Sequence, residues 1–148
     1  MTRHETTKAI LERKQKLGLT WRTIAEAVGR SELWVATALL GQGTMTEEEV
    51  AQVGTVLELD KEVLQPLLEV PYRGDLIQEM PPRDPTLYRL YEILLVYGPA
   101  LKEIMHEKFG DGIMSAIDFK LDMERLEDPN GDRVVITMNG KFLPYKKW

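Results

Sequence analysis

No cysteine occurs among the 148 residues, so the chain can build no disulfide, no thiol nucleophile and no zinc–thiolate cluster. Histidine is nearly as scarce. With only His4 and His106, the usual imidazole-rich metal sites are excluded as well. Positive charge is in deficit, 19 Lys and Arg against 24 Asp and Glu, giving a formal net charge of -5. That balance argues against broad attraction to nucleic acid or to an anionic membrane. An anionic substrate would have to find a local positive site inside a repulsive field. No apolar run approaches the ~20 residues needed to cross a bilayer. The opening stretch, Met1 to Lys8, has no apolar run behind it and does not read as a signal peptide. The expectation is a soluble, cytoplasmic protein with no membrane partner.

The length suits one medium domain or two small ones, enough to bury a real core. The first half reads as short helices. Glu5 to Leu17 carries Ala9, Ile10, Leu11 and Leu17 at helical spacing and stops at Gly18. Thr20 can cap a helix from Trp21 to Val28, ended by Gly29. Ser31 can cap another from Glu32 to Leu40, ended by Gly41. Thr46 to Glu49 is a capping box opening a fourth helix, with Val50, Val53, Val56 and Leu57 on one stripe. A fifth, short helix runs from Asp60 to Leu64, with Pro66 complicating its end.

The second and third of these have the look of a helix-turn-helix, with Ala25, Gly29 and Val35 at its small, turn and core positions. A recognition helix must offer base-reading side chains such as Arg, Lys, Asn or Gln. Here Ser31 to Leu40 carries one charge, the acid Glu32. Arg22 and Arg30 could touch phosphates, but two arginines on an acidic chain give little affinity. The favoured reading is a reused fold serving subunit contacts, and a helix-turn-helix transcription regulator is the alternative.

Turn formers from Val70 to Pro85 place a domain boundary near Met80, dividing the chain into 1–79 and 80–148. The second part begins with a helix from Leu87 to Tyr97, started by Asp84 and Pro85 and closed by Gly98 and Pro99. Apart from Arg89 and Glu92 it is apolar or aromatic throughout, which predicts a buried helix. Its two charges, three residues apart, share a face. A buried ion pair is a poor device for stability alone, so these two residues are candidates for chemistry. A structural ion pair at a helix or subunit contact competes with that reading.

A second helix, Ala100 to Phe109, leads through Gly110–Gly112 to an alternating strand. There Ile113, Ser115, Ile117, Phe119, Leu121 and Met123 should share a face. Asp128 to Gly131 is a turn, Val134 to Met138 a strand, and Asn139-Gly140 a hairpin signal before a returning Lys141 to Leu143. A layer this thin buries little by itself, and oligomerisation is the natural remedy.

Ser115 is the one polar side chain on its predicted apolar face. No G-x-S-x-G elbow surrounds it and no His–Asp pair is evident, so it fits a hydroxyl donor to a small anion better than a nucleophile. A serine tucked into a core is the bland alternative. His106, beside Glu107 on a helix, reads first as surface. The Gly-x-Gly fragments at Gly41–Gly43 and Gly110–Gly112 are too short for phosphate loops.

The runs Tyr88–Glu92, Val96–Gly98, His106–Phe119 and Asn139–Pro144 resemble the cyanase family, also called cyanate hydratase or cyanate lyase. The stretch Lys108 to Ile117 is the most specific part of that resemblance, which covers the whole second half. The first half, helix-turn-helix-like without DNA binding in that family, extends it over most of the chain.

The resemblance implies an α+β chain: an N-terminal helical bundle, then a small catalytic and dimerisation domain of helix and antiparallel strands. It implies that Arg89, Glu92 and Ser115 are the catalytic residues, and it is the family that groups Ser115 with the other two. It also implies a lyase that converts cyanate and bicarbonate to ammonia and carbon dioxide through a carbamate. No cofactor or metal would be needed. The enzyme would be a decamer, a pentamer of dimers, with sites at subunit interfaces. Two departures stand out: Arg83 where a small polar residue is expected, and Pro99 where threonine is more usual. A regulator bound to DNA and an inert oligomeric scaffold are the competing classes.

Overall fold

A computed structural model describes residues 1–148. It runs from five short helices into one long helix and a two-stranded hairpin, in agreement with the α+β reading. Two compact units result: 1–74 with 121–136, and 75–120 with 137–148. No helix is long and apolar enough to cross a membrane.

The N-terminal helices begin where their caps require. α1 (Arg3–Lys16) and α4 (Glu47–Leu57) open on complete capping boxes, Thr2 with Glu5 and Thr46 with Glu49. α2 (Trp21–Val28) is capped by the Thr20 hydroxyl and closes on Gly29 at φ 75°. α3 (Glu32–Thr37) is capped by Ser31 and is shorter than the expected run to Leu40. It widens into a π-turn, Ala38–Gln42, in which Gly41 adopts φ 93°. The carbonyls freed there have side-chain partners on α1. The Arg3 guanidinium donates to Gly41, Gly43 and Pro66, and the Thr7 hydroxyl to Leu39. α5 (Lys61–Leu64) tightens into a 3₁₀ turn, Gln65–Leu68, with Pro66 at its start. Ile10, Ile24, Val35, Leu39, Val53 and Leu57 are fully enclosed and form the centre of this unit.

The second unit departs from expectation in three places. First, α6 is a single helix, Pro85–Phe109, of 25 residues, rather than two helices separated at Gly98 and Pro99. Proline disfavours helix by losing its N–H, by crowding the carbonyl four residues back and by crowding the Cβ of the residue before it. Gly98 has no Cβ, which removes the last of these costs, and the helix continues to end only at Gly110, at φ 86°.

Second, α6 has no buried residue within the single chain, against the buried helix that its composition predicts. Leu90, Ile93, Leu95, Tyr97, Leu101 and Ile104 are all exposed. An apolar surface of this extent is not what a solitary soluble domain presents to water.

Third, Asn139-Gly140 makes no turn. β1 (Gly112–Leu126) and β2 (Arg133–Pro144) are each continuous, and the chain reverses at Asp128–Gly131 through a hydrogen bond from Gly131 N–H to the Asp128 carbonyl, 3.0 Å. Gly140 lies inside β2 because its neighbour strand passes too close for a side chain: a Cβ there would stand 2.5 Å from the Ser115 carbonyl oxygen.

Glu49 links the helices of the first unit. Its side chain, 7% exposed, accepts from the Arg30 guanidinium at 2.7 Å and from the Thr46 N–H at 2.8 Å. Burial alone would raise its pKa; the bonds from Thr46 and Arg30 outweigh that and hold the carboxyl below its ordinary value. A depressed folded value means the stabilisation is complete above the unfolded pKa, near 4.5, and is lost as pH falls through the folded one. Arg30 is itself more than half exposed, so solvent screening keeps the effect modest. Glu49→Gln should therefore cost roughly 1–2 kcal/mol at neutral pH and flatten the acid limb of the stability curve. Thermal melts between pH 3 and 7 read this out, and an unaltered acid limb in the variant would contradict it.

Candidate functional site

Asp84 sets the start of the helix that carries the charged pair: its carboxylate accepts from the N–H groups of Thr86 and Leu87 at 2.9 and 3.0 Å. One turn further along α6, Arg89 Nη1 lies 3.4 Å from Glu92 Oε2, so the pair expected from the i, i+3 spacing forms. The guanidinium also lies 5.5 Å from the centroid of the Tyr88 ring, whose own neighbour is Tyr91 at 6.5 Å. In the single chain the two charged side chains are 67% and 47% exposed. An exposed pair of this length is worth little, about 0–1 kcal/mol, so stability does not explain its place in so apolar a helix.

Ser115 is 5% exposed, the one buried polar side chain of the second unit. Its hydroxyl oxygen accepts from two successive backbone N–H groups, Ile117 and Asp118, each at 3.0 Å. Consecutive amides of a regular strand point to opposite sides, so β1 breaks its pleat here. That break explains why Ile117 is 97% exposed although alternation would put it beside Ser115; the single apolar face expected from Ile113 to Met123 is interrupted. β1 is also longer than its partner, 15 residues against 12. With both lone pairs of the oxygen engaged, the hydroxyl proton is the function Ser115 has left to offer. It is built as a donor, and its nucleophilicity is correspondingly reduced.

The end of α6 fixes where β1 begins. Lys102 Nζ lies 3.2 Å from His106 Nδ1, and His106 Nε2 lies 3.2 Å from the Gly112 carbonyl. An ammonium can only donate, so Nδ1 accepts and Nε2–H donates to Gly112. Phe109 stacks on Phe142 at 5.1 Å, and Tyr145 N–H donates to the Asp111 carbonyl at 3.1 Å. These joints, and the close approach of Gly112 and Gly140 to the opposite strand, were not read from the sequence. The signal was there: a glycine in a strand interior marks a close backbone approach.

Arg89 and Glu92 are thus brought together, whereas Ser115 belongs to a separate set of hydrogen bonds on another element. About 26 Å of helix separates Arg89 from His106, where the strand is anchored. A groove of about 430 Å³ elsewhere, between α4 and α5, is lined by Val50, Gly54, Leu59 and Leu64 and holds none of the three residues. On the helix-turn-helix face, Arg22 pairs with Glu32 at 3.7 Å and Arg30 with Glu49, so both arginines that a DNA-binding reading needs are met by acids.

Comparison with known proteins bears on the whole chain. Residues 3–71 match the family model described as cyanate hydratase, N-terminal, and residues 79–147 the one described as cyanate lyase C-terminal domain. The cyanate hydratase of Dechloromonas aromatica is 52% identical over 148 residues, covering 100% of both chains. That of Laccaria bicolor is 51% identical over 143 residues, covering 95% of this chain and 86% of its own. The crystal structure of cyanase from T. urticae superposes with a TM-score of 0.83 at 34% identity, covering 94% of this chain and 96% of the other.

Removing the Ser115 oxygen takes the acceptor from two backbone amides, those of Ile117 and Asp118. Ser115→Ala should destabilise the ligand-free protein by about 1–3 kcal/mol, while Ser115→Thr, which keeps the hydroxyl, should cost less. Denaturant melts of the three proteins test this, and equal midpoints would mean that the hydroxyl does not hold the turn.

Proposed function

The chain belongs to the cyanate hydratase family, and from that premise we propose that it is a cyanate lyase whose catalytic residues are Arg89, Glu92 and Ser115. In this reading bicarbonate is the co-substrate, no cofactor takes part and the setting is the cytoplasm. An oxygen of bicarbonate bonds to the cyanate carbon, giving a carboxylated carbamate with two negative charges. Its C–O bond to the added carboxyl group breaks and releases carbon dioxide. The remaining carbamate loses its carboxyl group as a second carbon dioxide and leaves as ammonia. Protons balance when two are taken up per cyanate consumed.

The difficulty is electrostatic rather than covalent. Two unit anions about 4 Å apart repel by about 4 kcal/mol at the effective dielectric of a protein site. A guanidinium at a similar distance from both offsets that repulsion and forks onto carboxylate-like oxygens. Ser115 contributes its hydroxyl proton to the intermediate, and Glu92 holds the guanidinium plane and passes protons. Preorganised donors in a dry pocket stabilise developing charge best.

The observation that carries this reading is the Arg89–Glu92 pair in the first half of α6, where residues 87–97 are otherwise apolar or aromatic. An uncovered helix of this kind and a Ser115 bound elsewhere in the chain both support an oligomer in which neighbouring copies close the site. A decamer, five dimers in a ring, is the assembly proposed. It would bring several guanidinium groups to bear on one dianion.

Ammonia release from cyanate should depend on added bicarbonate, and Arg89→Ala should lower kcat/KM at least 100-fold without changing the mass of the assembly. Arg89→Lys should recover little, because a point charge cannot fork. Turnover in bicarbonate-free buffer, or an active Arg89→Ala enzyme, would sink the proposal. A species far from ten chains by light scattering would remove the assembly part of it.

A further inference from the structure

Gly140 occupies the middle of β2, where the chain neither turns nor takes a positive φ. Its backbone is one that any residue could adopt, so only space excludes a side chain there. A Cβ at this position would lie 2.5 Å from the Ser115 carbonyl oxygen and 2.5 Å from Met114 Cγ, closer than such atoms come without something moving. The two obstacles differ in kind. Met114 is a flexible side chain that can swing away. The Ser115 carbonyl is backbone, and its displacement rotates the peptide on which the serine sits.

That peptide leads directly into the break in the pleat. The Ser115 hydroxyl is held by the N–H groups of Ile117 and Asp118, so its position depends on the path of the chain from Ser115 to Asp118. The same device recurs three residues earlier. A Cβ on Gly112 would run into the Leu143 carbonyl, with Phe142 Cζ at 2.5 Å and Pro144 Cα at 2.9 Å. Ser115 therefore follows one point of closest strand approach and sits at another. Asn139-Gly140 looks like turn chemistry, but the glycine serves contact across the sheet.

We propose that Gly140 is a positioning residue for Ser115: its missing side chain lets β2 pass against the Ser115 carbonyl and so sets where the hydroxyl proton points. This rests on the reading of Ser115 as the donor in a cyanate-lyase site. Nothing in the proposal requires Gly140 to touch a substrate. A hydroxyl moved by a fraction of an ångström to about 1 Å loses most of its effect on a small, tightly held dianion.

The test is Gly140→Ala in the full assembly, assayed with cyanate and bicarbonate. Expected is a roughly 10- to 100-fold fall in kcat, with kcat/KM falling equally, while the assembly mass stays as in the parent. Introduced into Ser115→Ala, the same change should alter the residual turnover less than about twofold, since the group it acts through is gone. Multiplying losses would instead mark a structural effect independent of Ser115 and overturn the proposal.

Met114→Ala added to Gly140→Ala removes the soft obstacle and leaves the hard one, so activity should remain low. Recovery to the parent rate would place the effect in Met114 packing and overturn the proposal. Loss of assembly in both of these variants would also overturn it, showing that the glycine is needed for folding and not for position. A fully active Gly140→Ala beside an inactive Ser115→Ala sinks the positioning role alone. A fully active Ser115→Ala sinks the site reading on which it rests.

Discussion

A guanidinium and a carboxylate, three residues apart in the apolar first half of α6, set the terms for the second half of this chain. In water the pair is nearly worthless to stability, and in a dry interior it is expensive to enclose. The apolar residues around it give the opposite instruction, because they gain free energy only when covered. The two demands are reconciled if the surface that covers the helix also brings charged substrates to the pair. In the proposed assembly, the same burial that stabilises the oligomer strips water from Arg89.

The second constraint is steric. Ser115 is not placed by packing of its own side chain, which is too small to fill space. Its hydroxyl is fixed by two amides of the next residues, and its carbonyl by the opposite strand. The first arrangement diverts two backbone N–H groups, those of Ile117 and Asp118, to a side chain. A bulge that re-aims one side chain is a recurring feature beside reactive centres. The hydrogen bonds from His106 to Gly112 and from Tyr145 to Asp111 then tie this irregular stretch to the end of α6.

Local rules read the first unit well because its elements are governed locally. Thr20, Ser31 and Thr46 cap the helices that their positions predict, Gly29 closes α2 as a left-handed residue, and α1 starts earlier than Glu5 because Thr2 caps it. The π-turn after Thr37 was not legible, since it depends on Arg3 and Thr7 reaching across from a distant segment. In the second unit the charged pair was found from its apolar surroundings alone, whereas Ser115 was tied to it only through the family resemblance. Two local signals misled. Gly98-Pro99 has the local form of a stop, yet a glycine before proline relieves part of the crowding that would make it one. Asn139-Gly140 has the composition of a hairpin turn, yet it lies within a strand whose partner leaves no room for a Cβ.

The acidity of the chain sharpens what the site has to do. A formal charge of -5 per copy grows with every copy added, so an assembly repels cyanate and bicarbonate at long range. At physiological ionic strength that repulsion fades beyond about 8 Å, whereas charges inside a dry pocket are screened far less. The field an anion meets within the pocket is then set by the few groups nearest to it. A fixed guanidinium outweighs a diffuse surface charge at that range. Excess acid on the outside and guanidinium groups within are thus compatible with chemistry between anions, provided those groups are enclosed. The exposed α6 of the single chain marks where that enclosure has to come from.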